Sequence, residues 1–400
     1  MKRALVLPGT IWQIPIIKKL KEKNFEVHVC NPVKILEVVS KADNFLESDI
    51  FNYGVIVDYC KEKGIDFVIS DECDIATDAV SIINSRIGAI HLSEQMAALF
   101  TNKFLMRQFC LDHGFPSIAF SICKTKQDAI AFFNQNGPKA IIKPINSNAS
   151  HGVFTINAID DIEKHFNETK SFSRNCDELL IEDYIEGTEF TVDGIVTKKG
   201  HVTLAISQKE HYLHNDNIAC SLFFSQTNES FDYNLLRKTN DDLINATKLP
   251  FGLTHVEYKY KDGKFYLIEM AARGGGNLIS ATIAPYMSNV DTYDYLINVY
   301  SSSSFDKPLH SDNSNEKVSI LKFLDIPCEE GIVKRIEGID YLESTKEIVD
   351  FRLNFKEGDR IKKPESDSVR IGFYIICANN KKRFDIITEE INKRFKIILY

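Results

Sequence analysis

The first ninety residues alternate short apolar runs with stretches of helical spacing. Residues 4–7, 25–30 and 67–70 are apolar enough for buried strands, and 89–92 reads as a fourth. Residues 14–23, 53–63 and 76–85 repeat apolar side chains every three or four positions, the spacing of a helix with one buried face. Strands alternating with helices predict a parallel, doubly wound sheet over residues 1–92, with ligands at the carboxyl ends of its strands. Pro8-Gly9-Thr10 and residues 71–74 follow strand ends and are candidate linings. No G-x-G-x-x-G is present, so nothing points to a dinucleotide.

The pattern changes after residue 92. A helix opened by Ser93 continues through 101–107 to Gly114 and carries Lys103, which by spacing alone is a solvated helix lysine. A helix over 128–136 and a strand over 140–144 follow. The strand ends in Lys143, where burying an unpaired ammonium would be costly unless an anion lay beside it. The loop 145–153 holds Ser147, Ser150, His151 and Gly152, small or polar residues whose free N–H and O–H groups suit a phosphate. After a strand (153–156) and a helix (160–168), residues 178–193 give two strands, with Glu182 and Glu189 bracketing the linker between them. Residues 251–260 and 264–273 alternate in character around Asp262-Gly263, which predicts a β-hairpin. Beyond about 306, strands are expected at 317–323, 331–336 and 372–378, with a closing helix at 382–394.

The hairpin carries the chemistry. Glu257 and Glu269 lie on either side of its turn, so both carboxylates could face one way and share a cation. Mg²⁺ is commonly held by one or two carboxylates plus substrate phosphates. Arg273 lies four residues beyond Glu269, and its fork of donors suits a carboxylate or phosphate. Gly274, Gly275 and Gly276 then permit close backbone approach. The alternative is a solvated glutamate on a hairpin and a flexible glycine loop.

Composition narrows the classes. Four hundred residues with 44% apolar content allow two or three domains. No apolar stretch reaches the ~20 residues of a membrane span, and the N-terminal apolar run is too short for a signal peptide. Nine cysteines without a C-x-x-C pair fit reduced thiols and a cytoplasmic location. A net charge of −8 argues against nucleic acid as partner.

Taken in order, a helix lysine, a strand-end lysine with a small-residue loop, Glu182-Asp183-Tyr184-Ile185-Glu186-Gly187-Thr188-Glu189 and the two-carboxylate hairpin resemble the ATP-grasp enzymes over the whole chain. The resemblance implies an N-terminal α/β domain (1–92), an ATP-grasp domain (93–305) with a lid at about 117–184, and a small C-terminal α+β domain (306–400). It implies that Lys103, Lys143 and the loop Ser147–Gly152 contact ATP phosphates. Glu182, Asp183 and Ile185 would meet adenine and Glu189 the ribose, while Glu257 and Glu269 would hold Mg²⁺, or Mn²⁺ in its place. The loop has less glycine than the family usually carries, and Ala271 stands where many relatives have a metal-binding Asn. Glu269-Met270-Ala271-Ala272-Arg273 before glycines is closer to the bacterial L-amino acid ligases. That branch implies a small carboxylate and an amine as substrates. Arg273 would steady the acyl phosphate, Gly274 to Gly276 would shape the pocket, and Lys209 lies in a segment expected to line it. His255 is either a general base for the amine or a packed hairpin histidine. Dimers are common among such enzymes, so a homodimer is in keeping. Formate or bicarbonate activation, as in purine biosynthesis, and a catalytically silent nucleotide-binding regulator are the alternatives.

Overall fold

The computed structural model describes residues 1–147, 150–173, 176–302 and 316–400. Loop positions 148–149 and the expected boundary near 306 lie outside the described residues.

The N-terminal strands Arg3–Val6, Glu26–Asn31, Asn44–Glu47 and Phe67–Ile69 pair in parallel, with Arg3–Val6 between the second and the fourth. Helices Ile14–Glu22, Tyr53–Lys63 and Asp74–Ile87 connect and cover them. Gly64 and Gly88 end two of these helices in the left-handed conformation that glycine tolerates. The expected strand at 89–92 does not form. Ala89 N–H instead returns to the Asn84 carbonyl as part of the helix end, which leaves the segment no ladder partner. Strand Asn44–Glu47, by contrast, is only half-buried and carries little apolar signal.

The helix expected to run from Ser93 to Gly114 is two helices, Glu94–Leu99 and Lys103–Asp112. Asn102 breaks it. Its backbone is extended, and its side-chain oxygen accepts from Phe104 and Leu105 N–H, capping the second helix. The break sets Lys103 at the first position of a new helix, with its N–H on the Ile145 carbonyl and its side chain turned inward.

Strands Phe120–Cys123, Ala140–Pro144, Phe154–Ile156 and Leu179–Asp183 make a separate antiparallel sheet backed by helices Lys126–Asn136 and Ile159–Ser171. Its own small core includes Phe132, Ile142, Ile162 and Phe166. An eight-stranded antiparallel sheet fills the rest of the chain's centre. It runs Lys264–Ala271, Gly252–Lys261, Thr188–Thr197, Gly200–Tyr212, Asn215–Ser225, Val318–Phe323, Gly372–Ala378 and Ile348–Leu353. Residues on both sides of position 306 therefore share one sheet. Asp262 and Gly263 both have positive φ, as a tight hairpin turn of matching twist requires. No helix among the described residues is long and apolar enough to cross a membrane.

Candidate functional site

The hairpin register sets Glu257 directly opposite Glu269, and a bulge follows Glu257. Each carboxylate meets a lysine from a distant element. Lys103 Nζ is 2.8 Å from Glu269 and donates to the Ser147 carbonyl at 2.6 Å. Lys209 Nζ bridges Glu257 at 2.8 Å and Glu189 at 2.7 Å. Burial works against charge on Glu189 and Glu257, but Lys209 outweighs it, holding Glu189 at about 2 and Glu257 well below the usual carboxylate range. Burial equally opposes charge on Lys209, and the two glutamates more than offset it.

Glu182, expected at the adenine edge, lines the smaller cavity at the hairpin and is also part of a buried ion cluster. Its carboxylate lies between Lys143 Nζ at 2.5 Å and the Arg107 guanidinium at 2.8 and 3.3 Å, all nearly inaccessible to water. Burial alone would raise the Glu182 pKa. Arg107 and Lys143 reverse this and hold it at about 2. Burial also pushes Lys143 down to about 8, against the pull of Glu182. The anion that Lys143 needed is therefore present in the protein. Arg107 also donates to the Ile268 carbonyl at 2.8 Å, tying this cluster to the hairpin. Sequence reasoning missed Arg107. The available signal was its position four residues after Lys103, on the same helix face as Met106 and Cys110, all buried.

Arg273 forms a two-pronged pair with Asp74 at 2.6 and 2.8 Å, bringing in the strand-end segment 71–74. Burial disfavours both charges, and the pairing overcomes it in each. Pro8-Gly9-Thr10 is spent differently: Thr10 donates to Gln13, which in turn donates to Asp71.

His255 Nδ1 is 2.9 Å from Asp193 and its Nε2 is 3.6 Å from Glu257. Burial would lower its pKa, yet Asp193 prevails and raises it to about 9. The imidazole is thus anchored on Asp193, with its other nitrogen turned towards Glu257. Asp193 also accepts from Gly275 N–H at 3.0 Å.

The three glycines divide by environment. A methyl group on Gly274 would come within 2.5 Å of Ser280, and one on Gly275 within 2.5 Å of Asp193 and 2.8 Å of Ile279. Gly276 has open space around it and lines the cavity. The close approach at Gly274 and Gly275 is thus to the protein's own side chains. Gly275→Ala is expected to cost about 1–3 kcal/mol in a urea melt through overpacking. Gly276→Ala is expected to leave the midpoint unchanged, and equal destabilisation by both would contradict this division.

Two cavities meet at the hairpin. The first, of 120 Å³, lies between the small sheet and the hairpin and touches Lys103, Lys143, Ser147, Asp183, Ile185 and Glu269. The second, of 320 Å³, extends from Lys209, His255 and Arg273 towards the C-terminal strands. Glu189, Glu257, Glu269 and Ser150 line both. His151 and Gly152 line neither. His151 stacks on Phe172, and Gly152, at φ +73°, is wedged against Phe172 and Pro144. No cluster of three or more His, Cys, Asp or Glu among the described residues is arranged to hold a metal alone. Two opposed glutamates at a junction of cavities, already drawing ammonium groups, fit a divalent cation whose remaining ligands are phosphate and water.

Residues 137–282 match the ATP-grasp domain, and residues 324–399 match the L-amino acid ligase C-terminal domain 2. The L-arginine-specific L-amino acid ligase of Bacillus subtilis is 23% identical over 72% of this chain and 69% of its own. The crystal structure of L-amino acid ligase from Bacillus licheniformis superposes with a TM-score of 0.84 at 16% identity, covering 100% of this chain and 99% of that one. The biotin carboxylase domain of Hydrogenobacter thermophilus 2-oxoglutarate carboxylase, solved with MgADP and bicarbonate, gives 0.76 at 16% identity over 100% of this chain and 91% of that one. With both domain matches in chain order, the chain carries an ATP-grasp domain followed by an L-amino acid ligase C-terminal domain, and it is similar over most of its length to the bacterial L-amino acid ligases.

Proposed function

We propose that this chain joins a small carboxylate, an amino acid, to an amine through an acyl phosphate, releasing ADP and phosphate. The observation that carries the reading is the junction at Glu257 and Glu269. The cavity on one side offers Lys103 and Lys143, and the cavity on the other offers Arg273.

A carboxylate does not react with an amine directly, because oxide is a poor leaving group. Transfer of the γ-phosphoryl group from ATP to a carboxylate oxygen removes that obstacle. The amine nitrogen then attacks the carbonyl carbon, the C–O bond to phosphate breaks, and phosphate leaves with the electron pair. The protein's part is positioning and charge. Glu257 and Glu269 would hold Mg²⁺, which when bound neutralises phosphate charge. Lys103 and Lys143 would exchange their glutamate partners in part for phosphate oxygens, and Ser147 and Ser150 would add donors from the loop. Asp183 and Ile185 would border the adenine and Glu189 the ribose. Arg273, held by Asp74, would face the acyl group, and Lys209 would keep Glu189 and Glu257 in place. His255 would orient Glu257. The small sheet over 117–184 would close as a lid and exclude water from the intermediate.

The B. subtilis relative is named for L-arginine, and six acidic residues line the larger cavity, so pairs containing L-arginine come first. ADP release with ATP, Mg²⁺ and pairwise mixtures of amino acids is the test. Release that requires an amino acid and an amine supports the proposal. Release with bicarbonate or formate and no amino acid would overturn it in favour of one-carbon activation, and tight ATP binding without turnover on any acid would favour a regulator.

A further inference from the structure

The helix Lys103–Asp112 carries two buried cations one turn apart. Lys103 reaches Glu269 and the Ser147 carbonyl. Arg107 grips Glu182 with two prongs, Nε donating to Oε2 at 2.8 Å and Nη2 to Oε1 at 3.3 Å. Lys143 shares Oε1, at 2.5 Å. One carboxylate therefore serves two cations.

The two cations are not equivalent. Lys143 and Glu182 line the smaller cavity, whereas Arg107 does not border it and is only 1% exposed. Arg107 is also tied to the Ile268 carbonyl at 2.8 Å, one residue before Glu269. Its Nη1 is buried with no hydrogen-bond partner, which is costly. Replacing buried ion clusters by apolar groups of similar volume is often neutral or stabilising, so stability alone does not account for this one.

A buried carboxylate with a single cation holds that cation fast, because opening the pair strands a charge in dry surroundings. A phosphate would have to overcome that loss before gaining anything from Lys143. With Arg107 in place, Glu182 keeps a two-pronged partner when Lys143 turns away, and the bidentate form is the strong one. Burial, and after it the Arg107 charge, pull the Lys143 pKa down to about 8 against Glu182, so Arg107 also loosens the lysine across the shared oxygen.

We propose that Arg107 is a positioning residue for nucleotide binding, holding Glu182 so that Lys143 can exchange its glutamate for a phosphate oxygen. Arg107 touches neither nucleotide nor cation and acts through Glu182. This rests on the proposed nucleotide site with Lys143 as a phosphate contact, and it names what lets that contact form.

Calorimetric titration of MgADP reads the effect without turnover. Arg107→Gln should weaken MgADP about tenfold, because of the two cations only Lys143 then remains on Glu182. Arg107→Lys keeps a positive charge there through one prong and should lose only about threefold. In a chain already carrying Glu182→Gln the sign reverses. There Arg107→Gln should leave MgADP binding level or tighten it, since no carboxylate restrains Lys143 and a neighbouring cation is gone. Weakening by the same factor in both backgrounds would mark Arg107 as structural and overturn the assignment, and so would full affinity in Arg107→Gln. If Arg107→Gln alone does not fold, the double variant still decides, and binding weaker than in Glu182→Gln alone overturns the assignment. A wild-type chain that takes up no MgADP overturns both this assignment and the ligase reading. The sign reversal together with no ADP release on any acid–amine pair sinks the ligase reading and upholds Arg107.

Discussion

Glu269→Gln is expected to lower kcat for ADP release about 10³-fold, beyond the 10–100-fold usual for a residue that merely supports a metal ligand. The amide keeps the shape of the side chain and loses the charge. Glu269 is partly exposed, with 30% of its side chain accessible, and among the described residues it forms an ion pair with Lys103 alone, so the urea midpoint should move little. Freed from Glu269, Lys103 remains available to phosphate, so KM for ATP should stay level or fall while kcat collapses. That split is the signature of a group needed in the transition state rather than in ground-state binding. Activity within tenfold of wild type would refute the assignment of Glu269 to the cation. A parallel fall in stability would instead make it a structural glutamate.

Glu182→Gln is expected to act oppositely, on the fold first. The wild-type carboxylate pairs with both Arg107 and Lys143, and removing its charge leaves two buried cations without an anion between them. Breaking a buried pair on one side costs about 3–5 kcal/mol, which a urea melt at pH 7 would reveal. Acid should do the same to the wild type. The carboxylate titrates near 2 in the folded chain against an ordinary 4.5, so the unfolded state binds the extra proton as pH falls. The contribution, roughly 3 kcal/mol by linkage, is complete above pH 4.5 and is lost as pH drops from there towards 2. The gap between wild type and variant should therefore narrow at pH 3. A gap that is equal at pH 3 and pH 7 would mean the cluster does not stabilise through charge. Lys143, already lowered to about 8 by burial, should lose its proton still more easily in the variant, weakening ATP binding at neutral pH.

These two glutamates mark how far the chain can be read without coordinates. Glu257 and Glu269 are visible because a hairpin is a local object. The Asp-Gly turn and two alternating runs lie within about twenty residues, and the register follows from them. Lys143 is visible as an oddity because an apolar strand should not end in an unpaired ammonium. Glu182 is only half legible, for the complementary reason. Its place beside the strand linker is legible, but its partner Arg107 comes from a helix 75 residues earlier. Asp74 and Arg273 are separated by 199 residues, and nothing near either announces the other.

The sequence by itself determined the alternating N-terminal elements, the hairpin with its paired acids and the order of lysines along the chain, because periodicity, turn chemistry and propensity act over a few residues. Only the tertiary structure decided which charges meet which, that a side chain at Gly275 would collide with Asp193 and Ile279, and that Arg370 lines the larger cavity. Those outcomes depend on burial and on distances between segments far apart in the chain. A charged side chain in a dry interior takes whichever partner the packing of the sheets brings within about 3 Å.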